Sequence, residues 1–284
     1  MSIELNQISF CYASHTSYGE YALREVELFI GDGEFVGIMG HTGCGKTTLA
    51  QIVAGLLPPF AGTVKIDGYD INKKGYDRKL LRKKVGFVFQ YPEHQLFETT
   101  VEREVAFGLK YGGLSWNERM ERVKDALECM GFAFERVRKE SPMSFSGGEK
   151  RRIAIAGVLV SDPDILILDE PTAGLDAKSR SSLHKIIAKL NQRGATVLWI
   201  SHDADSLCKY ADRIIVLEKG KIVMDGPPRE VFADQTKTEQ YQIGTSQARV
   251  ISEMLQKRGF KFERKPITYQ ELLDDLCNYF KKGG

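Results

Sequence analysis

The feature that most constrains this chain of 284 residues is a glycine-rich loop, 40–48, with the sequence GHTGCGKTT. It follows the apolar run 35–39 and precedes 46–57, a segment of helical character that Pro58 and Pro59 should stop. The loop fits the pattern G-x-x-x-x-G-K-[ST], whose glycines let backbone N–H groups turn toward one anion at a helix N-terminus. A chance glycine-rich turn is the alternative, but this strand-and-helix context is what the motif requires. The predicted phosphate-binding residues are Gly40, Gly43, Gly45, Lys46, Thr47 and Thr48.

Two side chains of this loop have predicted roles toward a nucleotide. Lys46 would reach the β- and γ-phosphates, and the Thr47 hydroxyl would bind Mg²⁺. The guanine-specifying pattern N-K-x-D is absent, because the segment 72–75 begins with Asn and Lys but has glycine in the last position. This absence counts against a GTPase, but the loop alone does not identify the family, because kinases, GTPases and many ATPases share it.

Strand and helix signals alternate along much of the chain, which predicts an α/β fold with a mostly parallel sheet covered on both sides. The alternating apolar and polar residues of 3–12 and 26–30 predict an antiparallel β patch in addition. The other predicted strands are short apolar runs, at 35–39, 64–66, 85–89, 165–168, 196–200 and 214–217.

Two segments are predicted to be helical rather than alternating. Residues 91–145 resemble a helical insertion within a larger domain, 1–225, and residues 226–284 form a small C-terminal appendage. In the appendage, Thr268 and Glu271 have the spacing of a capping box at the start of a helix. Its amphipathic helices could bury their apolar faces on the core or on a second subunit, where they would be a dimer contact.

An acidic pair ends the apolar run 165–168. Asp169 and Glu170 would lie at the carboxyl edge of a parallel sheet, where open α/β sheets bind their ligands. Asp169 would assist Mg²⁺ binding through its water shell, and Glu170 would polarise the attacking water as general base. A simple cap after a core strand is the alternative, but the phosphate loop on the same chain favours the functional interpretation.

Composition excludes several other classes. The net charge of +2 gives no global field for nucleic acid, and no nucleic-acid partner is expected. The basic stretch 78–84 is interpreted as a solvated helix face. Apolar stretches are too short to span a bilayer, and the N-terminus lacks the pattern of a secretory signal. The scattered cysteines lack metal-ligand spacing and suit a reducing compartment.

Residues 145–149, Phe-Ser-Gly-Gly-Glu, resemble the signature loop of the ABC ATPase family, and 173–176, Ala-Gly-Leu-Asp, resemble its D-loop. The resemblance covers roughly residues 3–225 and implies a P-loop (RecA-like) ATPase core. It further implies that Gln90 is the Q-loop glutamine near Mg²⁺, that His202 is the switch histidine and that Tyr12 stacks on adenine. The residues that it adds to the predicted ATP site are Tyr12, Ser146, Gly147, Gly148 and Asp176.

The signature loop would form a second anion site at a helix start, because Ser146 is a good N-cap and Gly147 and Gly148 leave N–H groups open. In the family, this loop of one subunit closes over the γ-phosphate held by its partner, so two subunits would sandwich the nucleotides. The commonest family signature ends in glutamine, whereas this chain has Glu149. That carboxylate would have to face away or pair with a cation such as Lys150 or Arg151.

The segment 90–97, Gln-Tyr-Pro-Glu-His-Gln-Leu-Phe, resembles the extended Q-loop of energy-coupling-factor transporters, which import vitamins and transition metals such as cobalt and nickel. The resemblance implies a homodimer or a pair with a paralogous ATPase subunit at the cytoplasmic face of the membrane. It also implies an integral membrane scaffold and a substrate-binding membrane subunit as partners. Gln95, Leu96 and Phe97 would help form the groove in which the scaffold docks; a loop packed on its own helical insertion is the alternative.

Two other functions stay open at this point. One is a soluble ABC ATPase acting on DNA or the ribosome, although the chain lacks long coiled-coil insertions and a second cassette. The other is a regulatory subunit that binds nucleotide without turnover. Glu170 and His202 are both present, and inactive sites commonly lose one or both.

Overall fold

The computed structural model describes residues 1–12, 20–110, 113–233, 235–262 and 265–281. Predictions for the remaining positions, among them 282–284 of the C-terminal appendage, lie outside the described residues. The strands are β1 Ile3–Tyr12, β2 Glu20–Ile30, β3 Phe35–Met39, β4 Ala61–Ile66, β5 Tyr69–Asp70, β6 Val85–Val88, β7 Ile165–Asp169, β8 Thr196–Ile200, β9 Arg213–Glu218 and β10 Lys221–Gly226.

The strands form two sheets. The larger has the order β10-β9-β3-β8-β7-β6, and its neighbouring strands are parallel except for β9 and β10. The smaller is antiparallel, with the order β2-β1-β4-β5. The predicted combination of a mostly parallel sheet with an antiparallel patch is therefore confirmed.

Both faces of the larger sheet are buried. Successive side chains of a strand point to opposite sides of a sheet, so each strand contributes to both faces. In β7, Leu166 and Leu168 join the hydrophobic cluster on one face, and Ile165 and Ile167 join the cluster on the other. A strand covered on both sides needs a continuous apolar run, and this explains why 165–168 carries no polar residue.

The helices cover these two faces and also form the C-terminal region. They are α1 Lys46–Val53, α2 Arg78–Lys84, α3 Val101–Ala106, α4 Trp116–Cys129, α5 Phe134–Val137, α6 Gly147–Leu159, α7 Ala177–Gln192, α8 Ala204–Tyr210, α9 Pro228–Val231, α10 Gln235–Gln240, α11 Gln247–Gln256 and α12 Tyr269–Lys281. Short 3-10 turns occupy Pro92–Gln95, Phe107–Leu109 and Pro142–Ser144.

Helix α1 is shorter than the sequence predicts. It ends at Val53 and not at Leu57, because Gly55 adopts a left-handed φ of 67°. The N–H of Gly55 donates to the carbonyl of Ile52 (3.0 Å) and that of Leu56 to the carbonyl of Gln51 (2.9 Å). This pair of bonds is a Schellman motif, which closes a helix at glycine. The glycine, and not the later prolines, therefore sets the end of the helix.

The helices between residues 92 and 159 pack on one another beside the edge strand β6. Helix α6 contacts α3, α4 and the turn Pro92–Gln95, and its side chains Ile153, Ile155 and Ala156 are fully buried. Helix α6 therefore runs through the middle of this helical group, with its N-terminus at the signature loop. Helix α2 buries only Leu81, and four of its basic residues are exposed, as predicted, whereas Lys84 is partly buried.

The C-terminal helices rest partly on the core. Phe232 and Ile267 belong to the main hydrophobic cluster, and the Gln247 N–H donates to Asp205 of α8 (2.9 Å). Thr268 and Glu271 form the predicted capping box, with reciprocal bonds of 3.3 and 3.4 Å. Exposed apolar side chains remain at Met254, Leu273 and Phe280. Within the described ranges, no helix has both the length and the apolar character needed to cross a bilayer.

Candidate functional site

The P-loop, residues 40–48, joins the end of β3 to α1. Gly40, Gly43 and Gly45 adopt φ values of 139°, 83° and 108°, which L side chains rarely adopt. A Cβ on Gly45 would lie 2.4 Å from the carbonyl oxygen of Ala22, and one on Gly40 would lie 2.3 Å from that of Leu217. The path of the loop past these two carbonyls therefore requires glycine at both positions.

Lys46 is enclosed by the loop that precedes it. Its ammonium donates to the backbone oxygens of Gly40 (2.7 Å) and His41 (2.9 Å), and the residue is 8% exposed. The N-cap of α1, Gly45, supplies no side chain to the helix end. The first N–H groups of α1 thus face a cationic pocket without a competing side-chain acceptor.

A cavity of about 300 Å³ opens at this helix end. Its walls combine P-loop residues with two tyrosines of the antiparallel sheet, Tyr12 and Tyr21. The Tyr12 hydroxyl lies 3.1 Å from the Thr48 hydroxyl, and both rings are about half exposed. The structure therefore brings Tyr12 to the P-loop, and it adds Tyr21, which the sequence reasoning missed. An aromatic residue at the start of β2 was the available signal.

Asp169 and Glu170 end β7 beside the P-loop. Asp169 is 4% exposed and accepts a hydrogen bond from the Thr47 hydroxyl (2.7 Å), which joins two of the three residues predicted at the Mg²⁺ site, the third being Gln90. Burial raises the pKa of Asp169, although Thr47 and the charge of Lys46 oppose the shift. Among the residues that the structure describes, no group of three histidine, cysteine, aspartate or glutamate side chains could hold a metal ion.

Glu170 is held in an unusual conformation with one oxygen unused. Its φ is 48°, and its N–H donates to the carbonyl of Ile200 (3.1 Å). Its buried Oε1 makes no hydrogen bond to any described residue and lies 3.5 Å from Nε2 of His202. Burial, followed by the charge of Asp169, raises the pKa of Glu170 to about 7. Burial, followed by the charge of Lys46, lowers the pKa of His202.

Thr47, Asp169, Glu170 and His202 lie together at one site. A carboxyl with a pKa near neutrality can take up or release a proton under physiological conditions. The neighbouring imidazole is mainly neutral there because its pKa is lowered. The arrangement therefore offers a buried, proton-accepting oxygen beside a cationic phosphate pocket, with Asp169 and Thr47 between them.

The signature loop, residues 145–149, begins α6 and does not line the P-loop cavity. Both the N–H and the hydroxyl of Ser146 donate to the Glu149 carboxylate, at 3.0 and 2.7 Å. These two bonds, the hydroxyl's first, hold the pKa of Glu149 below its usual value. The carboxylate is thus tied to its own helix start, and it pairs with neither Lys150 nor Arg151.

Asp176 and Gln90 stand apart from the P-loop constellation. Asp176 is the N-cap of α7 and accepts from the N–H and hydroxyl of Ser179, at 2.9 and 2.7 Å. Gln90 is exposed two residues after β6, on the strand next to β7, and makes no hydrogen bond within the described ranges. Each follows a strand of the larger sheet, Gln90 after β6 and Asp176 after β7, and these two strands are neighbours.

A second cavity, of about 240 Å³, lies between the segment 92–97 and α6. Leu96 is buried in it, whereas Gln95 and Phe97 are exposed at its rim. Phe107 stacks edge-on against Phe97, with ring centroids 4.9 Å apart. We call this cavity the docking groove; its remaining lining residues are Phe87, Val88, Pro92, Glu104, Gly108, Ala154, Gly157 and Val158.

Comparison with known proteins shows the family of this chain. The family model described as ABC transporter matches residues 23–173. The energy-coupling factor transporter ATP-binding protein EcfA2 of Clostridium tetani is 41% identical over 99% of this chain and 98% of its own length. The protein of the same name from Caldanaerobacter subterraneus is 43% identical over 99% of this chain and 98% of its own length.

Solved structures show the same fold. A dimeric ATP-binding cassette in a post-hydrolysis state, bound to ADP and Pi, has a TM-score of 0.73 and 34% identity over 80% of this chain and 99% of its own. CbiO1 of Clostridium perfringens, part of the ABC transporter complex cbiONQ, has a TM-score of 0.73 and 33% identity over 89% of this chain and 98% of its own. The predicted fold class and family are therefore confirmed. The chain belongs to the ABC transporter ATPase family, in the group of energy-coupling factor transporter ATP-binding proteins.

Proposed function

We propose that this chain is the ATP-hydrolysing subunit of an energy-coupling factor importer for a vitamin or a transition metal ion. The observation that carries the proposal is the joining of the P-loop cavity, the Thr47–Asp169 pair and the unpartnered carboxylate oxygen of Glu170 on one sheet edge. The family membership gives this arrangement its reaction, which is hydrolysis of ATP to ADP and phosphate.

Each element of the site has a part in binding. The backbone N–H groups of the P-loop and the Lys46 ammonium hold the phosphates, and Tyr12 or Tyr21 gives the base a ring on which to stack. The residues present fit Mg²⁺, which takes few protein oxygens and keeps water and phosphate as its other ligands. Thr47 and Asp169 would hold it, and the ion would neutralise charge on the phosphate oxygens.

Glu170 and His202 are assigned to the hydrolytic step. The free Oε1 of Glu170 accepts a hydrogen bond from the attacking water and orients it toward the γ-phosphate. His202, 3.5 Å from that oxygen, steadies the carboxylate, and Gln90 approaches from the end of β6. Almost all of the rate gain in such a site comes from positioning and charge stabilisation.

Partners complete the site and couple it to transport. We infer that Ser146, Gly147, Gly148 and Asp176 act on the nucleotide of a second ATPase subunit, identical or paralogous, because they lie outside the P-loop cavity of their own chain. The docking groove accepts an integral membrane scaffold, which in turn holds a substrate-binding membrane subunit. The protein then works as a peripheral subunit at the cytoplasmic face of the membrane, with residues 1–225 as its ATPase domain, 91–145 as the insertion within it and 226–284 as an appendage.

The test is the variant Glu170→Gln. It keeps the shape of the site but loses the proton acceptor, so turnover should fall by about 100-fold or more while ATP binding persists. Two ATP molecules should then hold a closed dimer, measured by light scattering in saturating ATP. A monomer under these conditions, both alone and with a paralogous ATPase subunit added, would contradict the sandwich, and undiminished turnover would contradict the role of Glu170.

A further inference from the structure

Arg151 is a buried cation whose charge the phosphate site does not use. It lies in the first turns of α6 and is 2% exposed. Its Nε and Nη2 donate to the two carboxylate oxygens of Glu93, at 2.9 and 3.1 Å. A buried guanidinium requires such a bidentate partner, and removing one member of a pair like this leaves an uncompensated charge.

Two further contacts surround the same guanidinium. Its carbon lies 5.4 Å from the ring centroid of Tyr91, which adopts a left-handed φ of 59°. On the other side, a Cβ placed on Gly174 of the D-loop would lie 3.9 Å from its Nη1. Arg151 therefore joins three segments: the signature helix, the start of the turn Pro92–Gln95 and the D-loop.

Helix α6 connects this junction to both the signature loop and the docking groove. The N-terminus of the helix carries Ser146, and its later residues Ala154, Gly157 and Val158 form the floor of the docking groove. The opposite wall is the segment 92–97, which contains Glu93. The ion pair between Arg151 and Glu93 thus fastens wall to floor at a point between the groove and the signature loop.

We propose that Arg151, held by Glu93, is the positioning residue that makes the groove wall and the signature helix move as one body. A partner that binds in the groove then displaces Ser146 together with the wall. In the other direction, closure of the signature loop over a second subunit's nucleotide displaces the groove wall. This proposal rests on the proposed function, because it assumes that the groove receives the membrane partner and that the signature loop acts across a dimer.

The variants that test it are Arg151→Lys and Glu93→Gln. Lysine keeps the charge but loses the two-pronged geometry, and glutamine keeps an acceptor but loses the charge. The matched control is Glu102→Gln, which removes the charge of another ion pair of the helical group, Glu102–Arg138 (3.0 Å), both members of which lie outside α6. Each of the three proteins is assayed at the same interval below its own Tm, so that differences in thermal stability do not enter the comparison.

The first readout is the ratio of ATPase turnover in the full membrane complex to that of the free chain. We expect this ratio to fall at least fivefold in Arg151→Lys and Glu93→Gln, with an unchanged KM for ATP, and to persist in Glu102→Gln. The double variant should lose no more than either single variant, since both break one link. An unchanged ratio, an equal loss in the control or additive losses would overturn the proposal.

The second readout needs no membrane partner. In a Glu170→Gln background, hydrogen exchange is followed in residues 91–97 and in α6 as ATP closes the dimer. With the pair intact, both segments should become protected together; with Arg151→Lys, α6 should respond while 91–97 does not. A joint response in the variant overturns the link. Absence of an ATP-driven dimer of the parent protein, both with itself and with a paralogous ATPase subunit, would instead overturn the proposed function itself.

Discussion

Two helices of this chain begin at a sequence predicted to bind phosphate, and their N-termini are constructed in opposite ways. Helix α1 begins at Gly45, has no side-chain cap and is enclosed by the P-loop and a buried lysine. Helix α6 begins at the exposed Ser146, whose N–H and hydroxyl are both taken by Glu149 of the same helix. The first end is cationic and enclosed, whereas the second is open and holds an anion of its own.

The glycines at the two ends show what completes each site. Gly45 and Gly40 are required by carbonyls of their own chain, which a Cβ would approach to within 2.4 and 2.3 Å. Gly147, in contrast, has no atom of the described chain within 4 Å of where a Cβ would lie. Carbonyls of the same chain therefore require glycine at two P-loop positions, whereas nothing in the described part of the chain requires glycine at 147.

The largest expected effect is a loss of ATP affinity, which should follow substitution of the lysine at the start of α1 but not of the lysine at the start of α6. Lys46→Ala removes the ammonium that the P-loop encloses, so ATP affinity of the monomer should fall by about 100-fold, as for the loss of charged hydrogen bonds. Lys150→Ala, one residue beyond the signature loop, should leave monomer affinity unchanged. Titration with a fluorescent ATP analogue measures both. Unchanged binding in Lys46→Ala would refute the phosphate-loop assignment.

The next effect separates the glycines. Gly45→Ala places a side chain at a φ of 108° and against the Ala22 carbonyl, so the free energy of unfolding should fall by about 2–4 kcal/mol. Gly147→Ala adds a better helix former in open space and should change the free energy of unfolding by less than about 1 kcal/mol. Denaturant unfolding checks both values.

Gly147→Ala should nevertheless impair closure of the dimer. In the Glu170→Gln background, light scattering in saturating ATP should show fewer dimers for Gly147→Ala than for its parent. A normal dimer would mean that the open space at 147 persists in the closed state, and the contrast between the two glycines would then have no bearing on partnership.

Local patterns predicted most of the fold and the positions of the motifs. Apolar runs marked the strands because a sheet covered on both faces leaves no polar position, and the P-loop was recognisable from spacing alone. The end of α1 was predicted wrongly because Gly55 and the later Pro58 are both stop signals. A sequence does not show which of two stops the chain uses, since this depends on the packing of the last turn.

Contacts between distant segments could not be predicted. The pairing of Arg151 with Glu93 spans 58 residues and depends on how α6 packs against the turn Pro92–Gln95. The left-handed backbone of Glu170 and its free Oε1 occur just after the pair Asp169 and Ile200, which ends the register of β7 with β8. Glu149 also looked like a partner for Arg151, but helix capping at three residues' distance took precedence.

A smaller expected effect is a pH-dependent change in the free energy of unfolding, which should differ between Glu170 at the P-loop site and Glu149 at the signature loop. Glu170 has a pKa raised to about 7, so between about pH 4.5 and 7 the folded protein binds a proton that the unfolded chain has released. The contribution of Glu170 to stability should therefore decrease as pH rises through this window and level off above it. Because the site is partly solvated, the change should be on the order of 1–2 kcal/mol.

The measurement is the difference in unfolding free energy between the wild type and Glu170→Gln from pH 4.5 to pH 8. The difference removes the contributions of groups common to both proteins, and the variant should gain relative stability as pH rises. The same comparison for Glu149→Gln should be nearly flat over this range, because the pKa of Glu149 is lowered and its effect, of opposite sign, falls below about pH 4.5. A pH-independent difference for Glu170→Gln would show that its carboxyl is not held protonated.

The smallest effect concerns the anion that the open helix end keeps. In Glu149→Gln the amide oxygen can still accept from the N–H and hydroxyl of Ser146, so the monomer should lose less than about 0.5 kcal/mol of stability. The variant also removes a negative charge from the place where a partner's γ-phosphate would arrive. In the Glu170→Gln background, ATP-driven dimers should therefore form at a few-fold lower protein concentration, and added salt should reduce this gain. A weaker dimer would mean that the carboxylate, by holding the Ser146 hydroxyl in place, does more for docking than its charge does against it.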